Sequence, residues 1–219
     1  MFCQDGPGVV ETAEGKLKKK SQRAAEQDRE DVALKRADWF KCQPGVAPEQ
    51  LVFLDETGLK TNLTRLRGWA FAGERLVESV PAGRWETSTL VHAVSLDGIR
   101  AAMVLDGPMD GVGFTGFCET FPAPALNPGD LVVMDNLGSH ISENARLIIE
   151  SAGAQVVLFP PYSPDLNPIE MIFSKLKQLV RSQRPGCLSK IVDATGTALS
   201  FISTDDIHAC FEHCGYLIA

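Results

Sequence analysis

Apolar runs punctuated by Gly and Pro divide this chain into strands first, then alternating strands and helices, then helices alone. Leu51-Val52-Phe53-Leu54 is a compact apolar run and reads as a buried strand that ends at Asp55-Glu56. Three further segments follow, Gly68 to Gly73, Thr89 to Val94 and Ala101 to Leu105, separated by Gly and Pro as in an antiparallel meander. Leu131-Val132-Val133-Met134 is a second fully apolar strand, ending at Asp135-Asn136. Gln155 to Phe159 is another strand. Helices are predicted over Phe114 to Phe121, stopped by Pro122, and over Ser142 to Ala152, closed by Gly153. A Pro-rich turn at 160–168 leads into a helix from about Ile169 to Arg184, and two helices near 188–200 and 204–214 finish the chain. Upstream, Ala25, Val32 and Trp39 recur every seven residues between charged neighbours, a helical pattern that Gln43-Pro44-Gly45 stops. This order predicts an α/β fold in which helices flank a mixed sheet.

Composition narrows the class. The chain has 219 residues, 44% apolar and 22% charged, which fits a globular domain with a short extension. The net charge of −7 excludes a protein whose whole surface grips nucleic acid, but not one with clustered basic residues. Met1 to Val10 lacks the pattern of a signal peptide. No apolar stretch approaches the roughly 20 residues of a membrane helix, so a cytosolic location is expected. Six cysteines, at 3, 42, 118, 187, 210 and 214, include no C-x-x-C and read as reduced thiols. His208, Cys210, His213 and Cys214 do not make a zinc site at helical spacing, because the two histidines point away from the two cysteines.

Three acids are candidates for chemistry. Asp55 and Asp135 each follow a buried strand, and Glu170 opens a helix. Carboxylates on rigid elements can clamp the hard cations that phosphodiester cleavage uses. Glu56 is the weaker ligand candidate, since alternation sends it to the opposite face if the strand continues. Plainer readings exist. Either Asp can simply end a strand. Asn167-Pro168-Ile169-Glu170 also reads as N-cap, first-turn Pro and the Glu of a capping box, a role that competes with ligation.

The string Leu158-Phe159-Pro160-Pro161-Tyr162-Ser163-Pro164-Asp165-Leu166-Asn167-Pro168-Ile169-Glu170 closely resembles the signature of DDE-type transposases of the mariner superfamily, in particular the bacterial insertion-sequence-630 family. Leu51 to Thr57, Arg67-Gly68-Trp69-Ala70 with Gly73, and Val133 to His140 resemble other blocks of that family in the same order. Asp135 and Glu170 are separated by 34 residues, an interval typical of that branch. The resemblance implies an RNase H-like catalytic domain over 49–219; composition and periodicity add a linker helix over 23–48 and a flexible basic segment over 1–22. It implies that Asp55, Asp135 and Glu170 are catalytic and bind two Mg²⁺ ions, for which Mn²⁺ substitutes. The implied reaction is hydrolysis at transposon ends, then attack of the 3′-hydroxyl on target DNA. Double-stranded DNA is the implied partner and a homodimer a possible one, with no membrane partner; the implied setting is the bacterial cytoplasm, at the nucleoid when DNA is bound.

There are departures. Met171-Ile172-Phe173 stands where relatives often show a polar residue and then Trp. The helix-turn-helix domains that usually precede the catalytic domain have no room here, so a catalytically silent DNA-binding or dimerising remnant, acting as an inhibitor, is the alternative reading. Asn136, His140 and Asp165 are candidates for supporting the ligands from behind. Lys175, Lys177, Arg181 and Arg184 are candidate DNA contacts on the helix after Glu170, though such a face can equally be solvated. Lys16 to Lys20 with Arg23 form a second basic candidate or a flexible tail. Trp39, Trp69 and Trp85 read first as core or interface aromatics and second as base-stacking platforms.

Overall fold

The structure is a computed structural model and describes residues 23–80, 85–135 and 143–216. Five strands form one sheet in the order β3-β2-β1-β4-β5. They are β1 (Leu51–Lys60), β2 (Thr87–Ser95), β3 (Gly98–Asp106), β4 (Leu131–Met134) and β5 (Gln155–Leu158). The first three pair antiparallel. β4 then joins the other edge of β1 in parallel, and β5 joins β4 in parallel. The sheet is therefore mixed, as the order of apolar runs predicts.

Alternation along the strands sorts the core into two layers. On one face, Leu51, Phe53 and Leu59 of β1 join Leu90 and Val94 of β2 and Val133 of β4. Three helices cover them: α5 (Pro168–Gln183), α6 (Leu188–Ser200) and α7 (Thr204–His213). Phe53 is fully buried there, with ring centroids of Phe211 and Tyr216 at 5.1 Å and of Phe159 at 5.9 Å. On the other face, Val52, Leu54, Val91 and Val132 pack against α2 (Gly111–Thr120), which leads into the short α3 (Pro122–Ala125), and against α4 (Glu143–Ser151). Ile169, Ile172, Phe173, Leu176 and Val180 recur at helical spacing and are all buried, which fixes the roll of α5 against the sheet. The aromatic at Phe173 thus keeps its packing role.

Upstream of the sheet, a single 3₁₀ turn over Ala25–Asp28 precedes α1 (Glu30–Cys42), so the regular helix begins later than the heptad-like pattern predicts. α1 is pinned at a distance in sequence. Arg36 donates to both oxygens of Asp165 at 2.9 and 2.6 Å and to Ser163 Oγ at 2.7 Å, and Gln27 Nε2 donates to the Tyr162 carbonyl at 2.7 Å. Trp39 lies against Phe159 with ring centroids 5.1 Å apart, which makes it a packing aromatic.

Two expectations are corrected. β1 does not end at Asp55-Glu56; it continues to Lys60, because β2 pairs with it from Phe53 to Lys60. Gly68 to Gly73 is not a strand. The segment between β1 and β2 leaves Leu66, Trp69, Phe71 and Val77 exposed, Trp69 at 99%, so its apolar residues are not signals of a buried strand.

Candidate active site

The placement of the acids follows from the pairing of β1 with β4. The two strands run in step: Leu51 beside Leu131, Val52 beside Val132, Phe53 beside Val133, Leu54 beside Met134. The next residue on each is an acid, Asp55 and Asp135. Asp55 stays within β1 and points to the face of Phe53, the face that α5 covers, while Asp135 is the first residue beyond β4 and lines the same cavities. α5 contributes Glu170 from its first turn.

The three carboxylates line one cavity of about 400 Å³, walled also by Tyr162, Ser163, Pro164 and Asn167. They also face a second cavity of about 420 Å³ that Glu56, Thr89 and Met109 help to close. The acids therefore stand where two openings meet. They share walls, not one centre: among the described residues no group of three His, Cys, Asp or Glu side chains is drawn together as a metal site.

The electrostatics of these walls favours positive charge. Burial raises the Asp55 carboxyl to about 7, and Glu170, Asp135 and Glu56 push the same way, against the lowering effect of the Glu56 N–H. Desolvation likewise raises Glu170, where Lys177 opposes it and Asp135 adds to it. The donors are hard oxygens around a concentration of negative charge, and a divalent cation fits that set.

The cap reading of Glu170 is only half realised. Asn167 caps α5, its Oδ1 accepting from Ile169 N at 3.3 Å. Its own N–H donates to the Pro164 carbonyl at 3.2 Å. That donor does not wait on Glu170, so the carboxylate is not tied up in a capping box. Asn167 reaches further than a cap needs, since its Nδ2 donates to Asp55 Oδ2 at 2.8 Å.

The basic candidates separate. Lys177 feels both Glu170 and Asp55, while Arg181 is its like-charged neighbour. Lys175 is paired with Asp206 of α7. Arg184 is the left-handed residue that ends α5, φ 50°, and its guanidinium pairs with Glu78. Asp165 holds Arg36, which keeps its carboxyl below the usual range. Asn136, His140 and the basic run of Lys16 to Lys20 lie outside the described residues. Trp69 and Trp85 are exposed and removed from core duty.

One residue of the site escaped sequence reading, and so did a buried neighbour of Asp55. Asn167 passes for an ordinary cap. His92 sits directly opposite Asp55 on β2, fully buried, with neither ring nitrogen partnered among the described residues. Burial holds its pKa down to about 4 and so keeps it neutral. Strand parity could have flagged it, once Asp55 was known to lie mid-strand.

The profile of the DDE superfamily endonucleases matches residues 50–191, which span all three acids. The chain is a member of the DDE superfamily endonucleases. Solved structures agree on the fold. A Mos1 transposase paired-end complex with left transposon end superposes at a TM-score of 0.73 and 15% identity, over 92% of this chain and 64% of that one. A mariner Mos1 paired-end complex with Mg gives 0.73 and 16%, over 91% and 65%. The catalytic domain of Mos1 mariner transposase gives 0.59 and 13%, over 89% and 93%. This DDE-family chain thus has the RNase H-like fold, and spans about two thirds of the Mos1 chain in the paired-end complexes. No curated protein sequence matches it.

Proposed function

We propose that this chain is the catalytic domain of a DNA transposase of the insertion-sequence-630 branch. It cleaves phosphodiesters at transposon ends and transfers the 3′-hydroxyl into target DNA. The observation that supports this reading is the in-step pairing of β1 and β4 up to Leu54 and Met134, after which Asp55 and Asp135 line one cavity with Glu170 of α5. These three would hold two Mg²⁺ ions, with Mn²⁺ able to replace them. When bound, such ions supply an activated oxygen nucleophile and stabilise the leaving oxygen.

The chain's own groups do the positioning. The Glu56 N–H at 2.7 Å and Asn167 Nδ2 at 2.8 Å orient the two oxygens of Asp55. The rigid α5, buried along five side chains of one face, sets the height of Glu170. Lys177, beside the acids, and Arg181, one turn on, suit the phosphates of a DNA strand entering the cavity. The Mos1 relatives are solved with transposon ends as paired-end complexes, and we extend double-stranded DNA and a homodimeric arrangement to this chain on that likeness.

The alternative is a silent remnant that binds DNA or pairs with a full-length copy, a reading that the net charge of −7 favours. Plasmid nicking in Mg²⁺ or Mn²⁺ decides between the two. We expect nicking by the wild type and at least a 100-fold loss on Glu170→Ala, on the order of what removing one electrostatic contributor costs. A wild type that binds DNA without nicking it in either metal would leave the remnant reading standing.

A further inference from the structure

We propose that Asn167 is a positioning residue that keys the strand acid Asp55 to the helix acid Glu170, beyond its service as a helix cap. This rests on the reading of both acids as metal ligands. Asn167 is buried, at 4% exposure, and every polar group it owns is directed. Its Nδ2 donates to Asp55 Oδ2 at 2.8 Å. Its Oδ1 accepts from Ile169 N at 3.3 Å. Its backbone carbonyl accepts from Glu170 N at 3.2 Å. One residue therefore touches Asp55 through its side chain and Glu170 through its main chain.

The amide has only one workable orientation. Turned over, its oxygen would face the Asp55 carboxylate and its NH₂ would face the Ile169 N–H, placing acceptor on acceptor and donor on donor. The chemistry also suits a ligand that must stay anionic. A neutral amide fixes Asp55 Oδ2 without cancelling its charge, as an Arg or Lys would. The Glu56 N–H does the same for Oδ1 at 2.7 Å. Each carboxylate oxygen has two acceptor sites, so one on each remains for a cation. A cap alone needs the oxygen of Asn167; only positioning needs its nitrogen.

That difference gives the test. Asn167→Ser keeps a capping oxygen but is too short to reach Asp55. Asn167→Asp keeps cap and shape but turns the donor into an acceptor. Mn²⁺ binding to the full chain, without DNA, is followed by the electron paramagnetic resonance of free Mn²⁺, with near-UV circular dichroism as the control for folding. We expect both variants, where folded, to bind Mn²⁺ about 10- to 100-fold more weakly than wild type, the usual cost of removing a group that orients a metal ligand. Wild-type affinity in either folded variant overturns the inference and leaves Asn167 as a cap. Should Asn167→Ser fail to fold, Asn167→Asp decides. A wild type that binds Mn²⁺ no better than Asp55→Ala sinks the metal-site reading itself, and this inference with it.

Discussion

Asp55→Asn should make the metal-free protein more stable at alkaline pH. The substitution keeps the shape and removes the charge. Burial, with Glu170, Asp135 and Glu56 nearby, raises the wild-type carboxyl from 3.8 to about 7. An acid raised on folding contributes stability that is whole below its unfolded pKa and is lost as pH rises through its folded pKa. At pH 8 the wild type therefore bears the full cost, about 4 kcal/mol at 1.36 kcal/mol per unit. Asn gives part of this back. It cannot accept from both the Glu56 N–H and the Asn167 amide, and one mismatched donor costs about 1–2 kcal/mol. The net gain is about 2 kcal/mol, or roughly 4–8 °C in melting temperature for a chain of this size. Thermal denaturation in EDTA at pH 8 and pH 5 measures it. Near pH 5 the wild-type carboxyl holds its proton when folded, so the gain should shrink towards zero. Added Mg²⁺ should raise the melting temperature of the wild type and not of the variant. A variant that melts below wild type at pH 8, or a gap that ignores pH, would refute the claim that Asp55 is a desolvated, crowded carboxylate.

Other expectations follow from the same contacts. Lys177→Ala should weaken DNA binding evenly across sequences and lower the salt slope of the affinity by about 1; an unchanged slope would make its helix face merely solvated. Arg36→Ala removes the fork on Asp165 and the bond to Ser163, and should cost about 1–2 kcal/mol after allowance for the exposed partner. Faster tryptic cleavage within α1 and a red shift from Trp39 would report its release. Phe53→Ala removes the ring that touches Phe159, Phe211 and Tyr216, and should cost about 3–5 kcal/mol in urea denaturation.

Much of this was legible in the sequence, for identifiable reasons. The four-residue apolar runs before Asp55 and Asp135 read as strands because both their faces are buried. Asn167 and Pro168 announce the start of α5 by local chemistry, which needs no tertiary context. Where reading failed, the cause was non-local. β1 runs on past Leu54 because β2 pairs with it there, and a polar Asp-Glu-Thr-Gly stretch carries no apolar signal for that. Trp69 and Phe71 have the composition of a strand, yet no neighbouring strand meets them among the described residues. The ion pairs that separate Lys175 and Arg184 from Lys177 come from Asp206 and Glu78, far away in the chain.

The in-step pairing of β1 and β4 sets different tolerances on different stretches of chain. The loops that join the paired elements between Lys60 and Leu131 can grow or shrink with little effect on either carboxylate, since the pairing of β1 with β4 sets their level. One residue inserted between Leu51 and Leu54 would instead turn Asp55 to the opposite layer, among Val52 and Leu54, and two would restore its side while lifting it off the level of Asp135. An indel scan should therefore find a narrow intolerant window at the two short apolar runs, with a penalty that alternates between odd and even insertions.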